Sequence, residues 1–366
     1  MPRIVFTVTS DLTYVQRMIR ICTSLANNGY TVHLIGRKRK SSISLIEQPY
    51  LQTRLNCFFE KGPFFYLEYN IRLFVYLLFT KADVLCAIDL DTALPCLFVS
   101  MLRKKKRVYD AHEWFTQQKE IITRPLIHKI WLAIEQFIIP RFKNGYSVND
   151  FITNTFKLNY KVSYEVIRNL PNLSDIPAEY KKDLPTNPFI LCQGAVNEGR
   201  SLETLIPAMQ YIPFPLVIAG NGNFYTQLLA LVAKYKVKEK IFLTGMVTPM
   251  QLKAITQKAH IGLMLFEAKG LNQYQSLANR FFDYMMAGIP QICVDYPQYK
   301  QLNNQYGFAY MIDSTEPETI AAAVNNLMND SVLYNNLRAN ALKAREELNW
   351  EKEERKLIRF YKTVTA

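Results

Sequence analysis

Two stretches of the chain bring glycines, a cation and polar side chains together in a pattern suited to an anionic ligand. The strand-like run FILCQGA continues into VNEGRSLETLIPAM. Gly194 and Gly199 therefore flank a short loop that leads to Arg200 and to a helix expected to be capped near Ser201. Glycines let the backbone approach an anion, and the first N–H groups of a helix are free to donate. An arginine there can clamp a diphosphate through two parallel hydrogen bonds. Gly220-Asn221-Gly222 follows the next strand-like run and suits a tight turn into a helix. Further on, SLANRFFDYMMAGIP sets Asn279, Arg280 and Asp283 at the start of a helix. A carboxylate can accept from both hydroxyls of a ribose, and a guanidinium can meet a phosphate. The same two side chains also suit a surface i,i+3 ion pair, worth roughly a few tenths of a kcal/mol.

A third group lies nearer the N-terminus. In RVYDAHE, Asp110, His112 and Glu113 stand on an extended run whose side chains alternate, so they do not all face one way. A histidine at a strand end can bond a ligand hydroxyl or simply cap the local structure. The first strand runs into Thr9-Ser10-Asp11 rather than GxGxxG, and GxxxxGK[ST] is absent, which argues against a dinucleotide-dependent dehydrogenase and a P-loop enzyme.

These groups must be positioned by strands and helices that alternate along nearly the whole chain. Residues 3–9 read as a buried strand. A helix follows on Val15, Met18, Ile19, Cys22, Leu25 and Ala26, spaced by three and four, and stops at Asn28-Gly29. TVHLIG (31–36) completes a βαβ unit. Strand-like VLCAIDL (84–90) and RVYDAHE (107–113) flank the helix-like TALPCLFVSML, with further helices over roughly 64–80 and 125–143. Beyond the Pro/Asn-rich segment 168–177 the alternation restarts with strands at 189–195, 216–220, 241–245, 261–266 and 291–295. The fold class is therefore α/β, with two doubly wound Rossmann-like domains built on parallel sheets. Ligands are expected beyond the C-terminal strand ends, in a cleft between the halves. The expected boundaries are 1–170 and 171–345. Residues 346–366 form a last helix that packs on its own domain or crosses back onto the first.

Composition narrows the class further. A chain of 366 residues, 49% apolar and 20% charged, is globular, and no apolar run is long enough to span a bilayer. The N-terminus lacks the pattern of a signal peptide, so a cytoplasmic protein is expected. The six cysteines form no CxxC pair and sit mostly in apolar runs, as reduced core residues do. Net charge is +13, and residues 1–170 hold 24 Lys and Arg against 13 Asp and Glu. The clusters 37–40 and 103–107 dominate that excess, which suits an anionic partner.

Read in order, DLTYVQRMIRICTSLANNGYTVHLIGR, RVYDAHEWF, QGAVNEGR, IFLTGMV, NRFFDYMMAGIP and NWEKEERKLIRFY resemble the retaining GT-B glycosyltransferases of the family 4 (group 1) type, over nearly the whole chain. NRFFDYMMAGIP is the most specific piece. The resemblance implies an acceptor-binding N-terminal domain and a C-terminal domain that binds a nucleoside-diphosphate sugar. It implies that Asp283 stands for the second glutamate of the family's E-x7-E element, on the ribose hydroxyls. Arg200 and Arg280 would hold the diphosphate, Gly245 and Met246 would meet the nucleobase, and His112 would lie beside the donor sugar and acceptor. Gly194, Gly199, Gly220 and Asn279 complete the expected nucleotide site, and Asp11, Asp89, Asp110 and Gln275 join His112 around the sugar or acceptor. The chain departs from the family at Gln275, where the first glutamate would stand, and in GAVNEGR, which has one basic residue where two are common.

The expected activity is retaining, metal-independent transfer of a hexose from a UDP- or GDP-sugar to a hydroxyl of a saccharide or lipid-linked saccharide, in polysaccharide or glycolipid synthesis. His112, Arg200 and Arg280 are the expected catalytic set, with no metal and no cofactor beyond the co-substrate. Asp89-Leu90-Asp91 spells DxD but follows a strand of the first half, and is read as lining or structural. A sugar-nucleotide epimerase of the same architecture and a non-catalytic polyanion binder are the alternatives; a nucleic-acid partner is not expected. The helical stretches FFYLEYNIRLFVYLLF and IWLAIEQFIIPRFK, with the basic clusters, suit either core helices or contact with an anionic membrane at its inner face.

Overall fold

The computed structural model describes residues 1–173, 180, 184–268 and 270–366. The linker expected at 168–177 lies partly outside the described residues. The chain divides into two compact units, Met1–Asn169 with Lys352–Ala366, and Leu170–Glu351.

The first unit is built on strands β1 (Arg3–Thr7), β2 (Thr31–Lys38), β3 (Leu51–Asn56), β4 (Val84–Ile88), β5 (Lys106–Ala111), β6 (Asn144–Ser147) and β7 (Glu165–Val166). They lie in the order β3-β2-β1-β4-β5-β6-β7, all pairs parallel. The register sets Arg3 against Thr31 and Val84 against Lys106. Its helices are α1 (Gln16–Asn27), α2 (Pro63–Phe79), α3 (Ala93–Leu102), α4 (Lys119–Ile122), α5 (Pro125–Ile138) and α6 (Asp150–Tyr160). In α1, Met18, Ile21, Cys22 and Leu25 bury one stripe, and the helix ends at Asn28 and Gly29, whose φ of 85° only glycine adopts without strain. The helices α2, α3 and α5 share one core with the sheet, through Phe65, Tyr69, Leu73, Leu97 and Ile138 among others.

The second unit holds β8 (Ile190–Gln193), β9 (Leu216–Ala219), β10 (Ile241–Gly245), β11 (Ile261–Met264), β12 (Gln291–Val294) and β13 (Ala309–Ile312). Its parallel sheet runs β10-β9-β8-β11-β12-β13. Side chains alternate between two cores: Ile190, Leu216 and Ile218 on one face, Leu191, Val217 and Ala219 on the other. The covering helices are α7 (Leu202–Ala208), α8 (Tyr225–Lys234), α9 (Pro249–Lys258), α10 (Leu271–Tyr274), α11 (Asn279–Ala287), α12 (Pro297–Tyr306), α13 (Pro317–Asn329) and α14 (Ser331–Arg345). The last helix, α15 (Trp350–Thr365), begins in this unit and continues into the first. Among the described residues no helix is long and apolar enough to cross a membrane. All six cysteines are free, and five are buried.

In each sheet the strand order reverses beside the first strand of the unit, between β1 and β4 and between β8 and β11. The carboxyl ends of the strands at such a switch point leave a crevice where open α/β sheets bind ligands.

Candidate functional site

At the switch point of the second sheet the turns after β8 and β9 clasp each other. Gly194 N donates to the Ala219 carbonyl at 2.9 Å, Val196 N to that of Asn221 at 3.1 Å, and Phe224 N to that of Val196 at 3.0 Å. A Cβ on Gly220 would lie 1.8 Å from the Gly194 carbonyl oxygen, and one on Gly222 would lie 2.3 Å from that of Val196. Both glycines are therefore required by close approach of backbone to backbone. Gly194 itself, at φ 113°, faces solvent. Gly199 (φ 82°) is covered by Gln273, whose Nε2 donates to its carbonyl at 3.2 Å.

The cap expected at Ser201 takes another form. Ser201 precedes α7 in the left-handed region (φ 54°), and its hydroxyl makes no cap bond. The backbone needed to turn out of Gly199-Arg200 carries the hydroxyl away from the N–H groups it would otherwise serve.

Arg280 lies in the first turn of α11 and is buried. Its Nη1 donates to the Gln193 carbonyl at 3.0 Å, its Nη2 to that of Leu265 at 2.7 Å, and its Nε to the Met264 sulfur at 3.2 Å. Gln193 ends β8, Met264 ends β11 and Leu265 follows it, so the guanidinium bridges the two strands that flank the switch point. They are neutral, so the bonds hold the cation without cancelling its charge. The guanidinium carbons of Arg200 and Arg280 each stand 4.4 Å from the centroid of Phe266, giving two cations on one aromatic platform. Burial raises the Cys192 thiol pKa, while both guanidiniums pull it down, a local sign of positive potential.

Asp283, one turn further along α11, accepts from Gln193 Nε2 at 3.0 Å, and Gln193 Oε1 accepts from Thr256 at 2.7 Å. Arg280 and Asp283 thus turn to different partners rather than pairing on the surface. Gln275 sits between α10 and α11, in a long 3.5 Å contact with Gln298 of α12. Asn279 is exposed at the first position of α11. Gly245 ends the edge strand β10 at φ 65°, and the neighbouring Met246 is 66% exposed. Gln193 and Phe266 were not singled out in the sequence. Gln193 had a signal, as the last strand residue before a glycine turn; Phe266 reads as one more core aromatic.

The first unit places its own polar cluster at the switch point of its sheet. Asp110, next to last in β5 and fully buried, has Arg17 Nη2 at 3.1 Å and His112 Nε2 at 3.0 Å. Burial works to raise its carboxyl pKa, but Arg17 and His112 outweigh it and hold the group below the usual carboxylate range. A charged carboxylate only accepts, so His112 Nε2 donates and the lone pair of the neutral ring lies on Nδ1. Arg17 Nε and Nη1 are buried without partners.

Asp89 and Asp91 stand in the other condition. Asp89 has φ 55°, an unusual conformation outside glycine, and its carboxylate accepts from His112 N at 2.9 Å. Burial, then Glu113, Asp91 and Asp110, push its pKa well up. Burial likewise lifts Asp91 to about 6, opposed by the bond from the Thr9 hydroxyl. Asp11 is held by Arg54 at 2.8 Å, by Thr13 and by Ser42; burial raises its pKa, but those partners together set it below the ordinary value. Among the described residues no group of three or more His, Cys, Asp or Glu is arranged to hold a metal ion.

Two parallel-sheet Rossmann-like units with helices on the sheets define a protein of the GT-B fold class. Residues 177–344, covering most of the second unit, match the family model of glycosyl transferases group 1. No curated protein matches the chain in sequence. Among solved structures, a sucrose-phosphate synthase from Thermosynechococcus elongatus superposes with a TM-score of 0.79 at 16% identity, covering 100% of this chain and 99% of that one. A glycosyltransferase from Rickettsia africae gives a TM-score of 0.72 at 15% identity over 99% and 98% of the two chains. The Anabaena protein HepE, solved with UDP-glucose, gives 0.75 at 11% identity over 99% and 100%. At these identities the likeness establishes the fold.

Proposed function

We propose that the protein is a glycosyltransferase that moves a sugar from a nucleoside-diphosphate sugar to a hydroxyl of a saccharide or lipid-linked saccharide. The observation that carries this reading is the pair of guanidiniums, Arg200 and Arg280, on the Phe266 ring at a sheet switch point, in a segment that matches the group 1 family model. Sugar transfer breaks the bond between the anomeric carbon and a diphosphate oxygen and forms one to the acceptor oxygen. Negative charge grows on the leaving diphosphate, and two fixed cations meet it without reorganisation. A metal ion is therefore not required to supply that charge. Asp283 is the group suited to the ribose hydroxyls, and the exposed Gly194 leaves the backbone of the β8 turn open to the phosphates.

In the first unit, the Asp110–His112 bond presents Nδ1 as an acceptor for the hydroxyl of a sugar. Retention of configuration, UDP as the carrier and a role in polysaccharide or glycolipid synthesis inside the cell belong to the same proposal. The UDP-glucose bound in HepE, a protein of the same fold, supports UDP as the first carrier to try.

Calorimetric titration of UDP and GDP tests the reading directly. Wild type is expected to bind one of them in the micromolar range, with the affinity falling about 100-fold in Arg200→Ala and about 10-fold in Asp283→Ala, as loss of a charge-assisted contact implies. A folded wild type that binds neither nucleotide overturns the proposal. Incubation with the UDP-sugar alone separates transfer from epimerisation: a transferase at most hydrolyses the donor slowly, whereas an epimerase converts it.

A further inference from the structure

The helical layer of the first unit is apolar on both sides. On α2, Phe65, Tyr69, Leu73 and Leu77 are buried in the core. The opposite face repeats the pattern with Phe64, Leu67, Ile71, Val75 and Phe79, exposed by 49 to 84%. These five follow one another at steps of three and four residues, so they form a single row about 22 Å long. Apart from Asn70 and the Glu68–Arg72 ion pair, α2 is apolar on both faces, and such a helix is normally covered on both.

The row continues onto the neighbouring helices. At the far end of α3, Met101 and Leu102 are 56% and 68% exposed, and Arg103 ties that end to α2 by donating to the Leu77 carbonyl at 2.8 Å and to that of Thr80. Phe98 of α3 and Phe137 of α5, both part exposed, lie 6.5 Å apart, and α5 adds Leu126 and Ile130 at 73% and 52% exposure. At the start of α2, the exposed Phe58 and Phe59 are fixed by main-chain bonds to the Glu68 carboxylate, with the Phe59 and Phe64 rings 5.5 Å apart. The aromatic tip is therefore built, not loose.

Charge identifies what this face meets. Residues 58–81, 98–107 and 124–143 carry 12 Lys and Arg against 3 Asp and Glu. Of the three acids, Glu135 is buried, bonded by Thr116 and Tyr160, and Glu68 is bonded to Arg72. Lys104 and Lys106 stand exposed just beyond Leu102, and the Arg141 guanidinium lies 4.0 Å from the centroid of the Phe137 ring. A second copy docking the same face would set this basic rim against itself.

We propose that this face, α2 with the ends of α3 and α5, docks the protein on the surface of an anionic lipid bilayer. The aromatic and aliphatic row enters the headgroup boundary, and the flanking lysines and arginines sit among lipid phosphates. The inference is independent of the transfer chemistry, since it concerns another face of the first unit.

Sedimentation of the full chain with vesicles tests it. Phosphatidylcholine vesicles containing about one third phosphatidylglycerol are expected to bind wild type at least ten-fold more tightly than phosphatidylcholine alone, and less tightly as salt is added. Phe64→Ser/Phe79→Ser/Leu102→Ser and Lys104→Glu/Lys106→Glu each remove at least about ten-fold of that affinity. Met250→Ser/Val332→Ser, exposed in the second unit, leaves it unchanged. Because all the altered side chains are exposed, unchanged circular dichroism is expected throughout. Wild type that ignores anionic vesicles at low salt, or a triple-serine variant that binds as wild type does, overturns the proposal. A dimer in analytical ultracentrifugation, dissolved by the triple-serine change and without vesicle binding, assigns the face to a second copy instead.

Discussion

Asp110 has a guanidinium and an imidazole against its carboxylate, whereas Asp91, in the turn after β4, meets the hydroxyl of Thr9. The first is held charged, and the second is pushed up to about 6 by burial. Amide substitutions should therefore have opposite signs. Asp110→Asn leaves the buried Arg17 facing a neutral group and is expected to cost about 3 kcal/mol at neutral pH. The depressed pKa of Asp110 means this stabilisation exists above the unfolded-state value and fades as pH falls through the folded one. For Asp91 the sign reverses. Its raised pKa costs nothing below the unfolded value of about 3.9, costs progressively more as pH rises, and reaches its full penalty above about 6. Asp91→Asn should accordingly gain about 1 kcal/mol on wild type as pH rises from about 5 to about 7.5. Urea titrations of both variants at the two pH values check this; a parallel pH trend in the two would show that the carboxylates are not held as described. Little of this was legible in the sequence. It showed Asp89, Asp91, Asp110 and His112 as polar residues at strand ends, but the partner that separates Asp110 from Asp91 is Arg17, which lies on α1 far away in the chain.

Among the elements, the clasp between the β8 and β9 turns makes the sharpest claim. Gly220 has φ 153°, and an added Cβ would overlap the Gly194 carbonyl, a backbone atom that cannot rotate aside. Gly220→Ala is expected to cost more than about 2 kcal/mol and to weaken nucleotide binding with it, because the two turns must separate. A thermal melt with a UDP titration reads both; an alanine variant as stable as wild type would show that the turns are not in contact. Elements with a strong apolar period were readable in advance: β1, β4, β5, β8, β9 and α1 to α3 fall where the pattern put them. Those not singled out were β3, β6, β7 and β13. The half-exposed β3 (LQTRLN) mixes polar and apolar residues, β7 has two residues, and β13 (AYMI) has four. Such segments are strands because a neighbour's free edge pairs with them, and a local pattern does not record that. The same limit hid the bonds of Arg280. The motif NRFFDYM marked the residue, yet its acceptors are carbonyls supplied by β8 and the residue after β11.

At the scale of the whole molecule, the chain's last residues complete its first unit. Lys352–Ala366 belong with Met1–Asn169, and the joins are specific. Glu353, almost fully buried, accepts from Arg168 N at 2.7 Å. Tyr361, fully buried, packs edge-on against Phe6 at 5.9 Å and Tyr146 at 6.2 Å, and Phe360 lies 5.1 Å from Tyr146. A helix that follows the second unit in sequence thus packs against β1 and β6 of the first. That arrangement joins the stability of residues more than 350 positions apart in the sequence, and it predicts where a C-terminal change is felt. Tyr361→Ala removes a large fully buried ring and is expected to cost about 3 to 5 kcal/mol. Hydrogen exchange read by mass spectrometry should locate that loss. Amides of β1 and β6 lose protection, because opening the first unit becomes easier, while those of β8 and β12 keep theirs, because among the described residues the two cores around β8 and β12 contain no part of residues 352–366. Equal loss in both units would mean that they unfold as one, and unchanged protection in β1 would mean that α15 does not rest where its aromatic contacts place it.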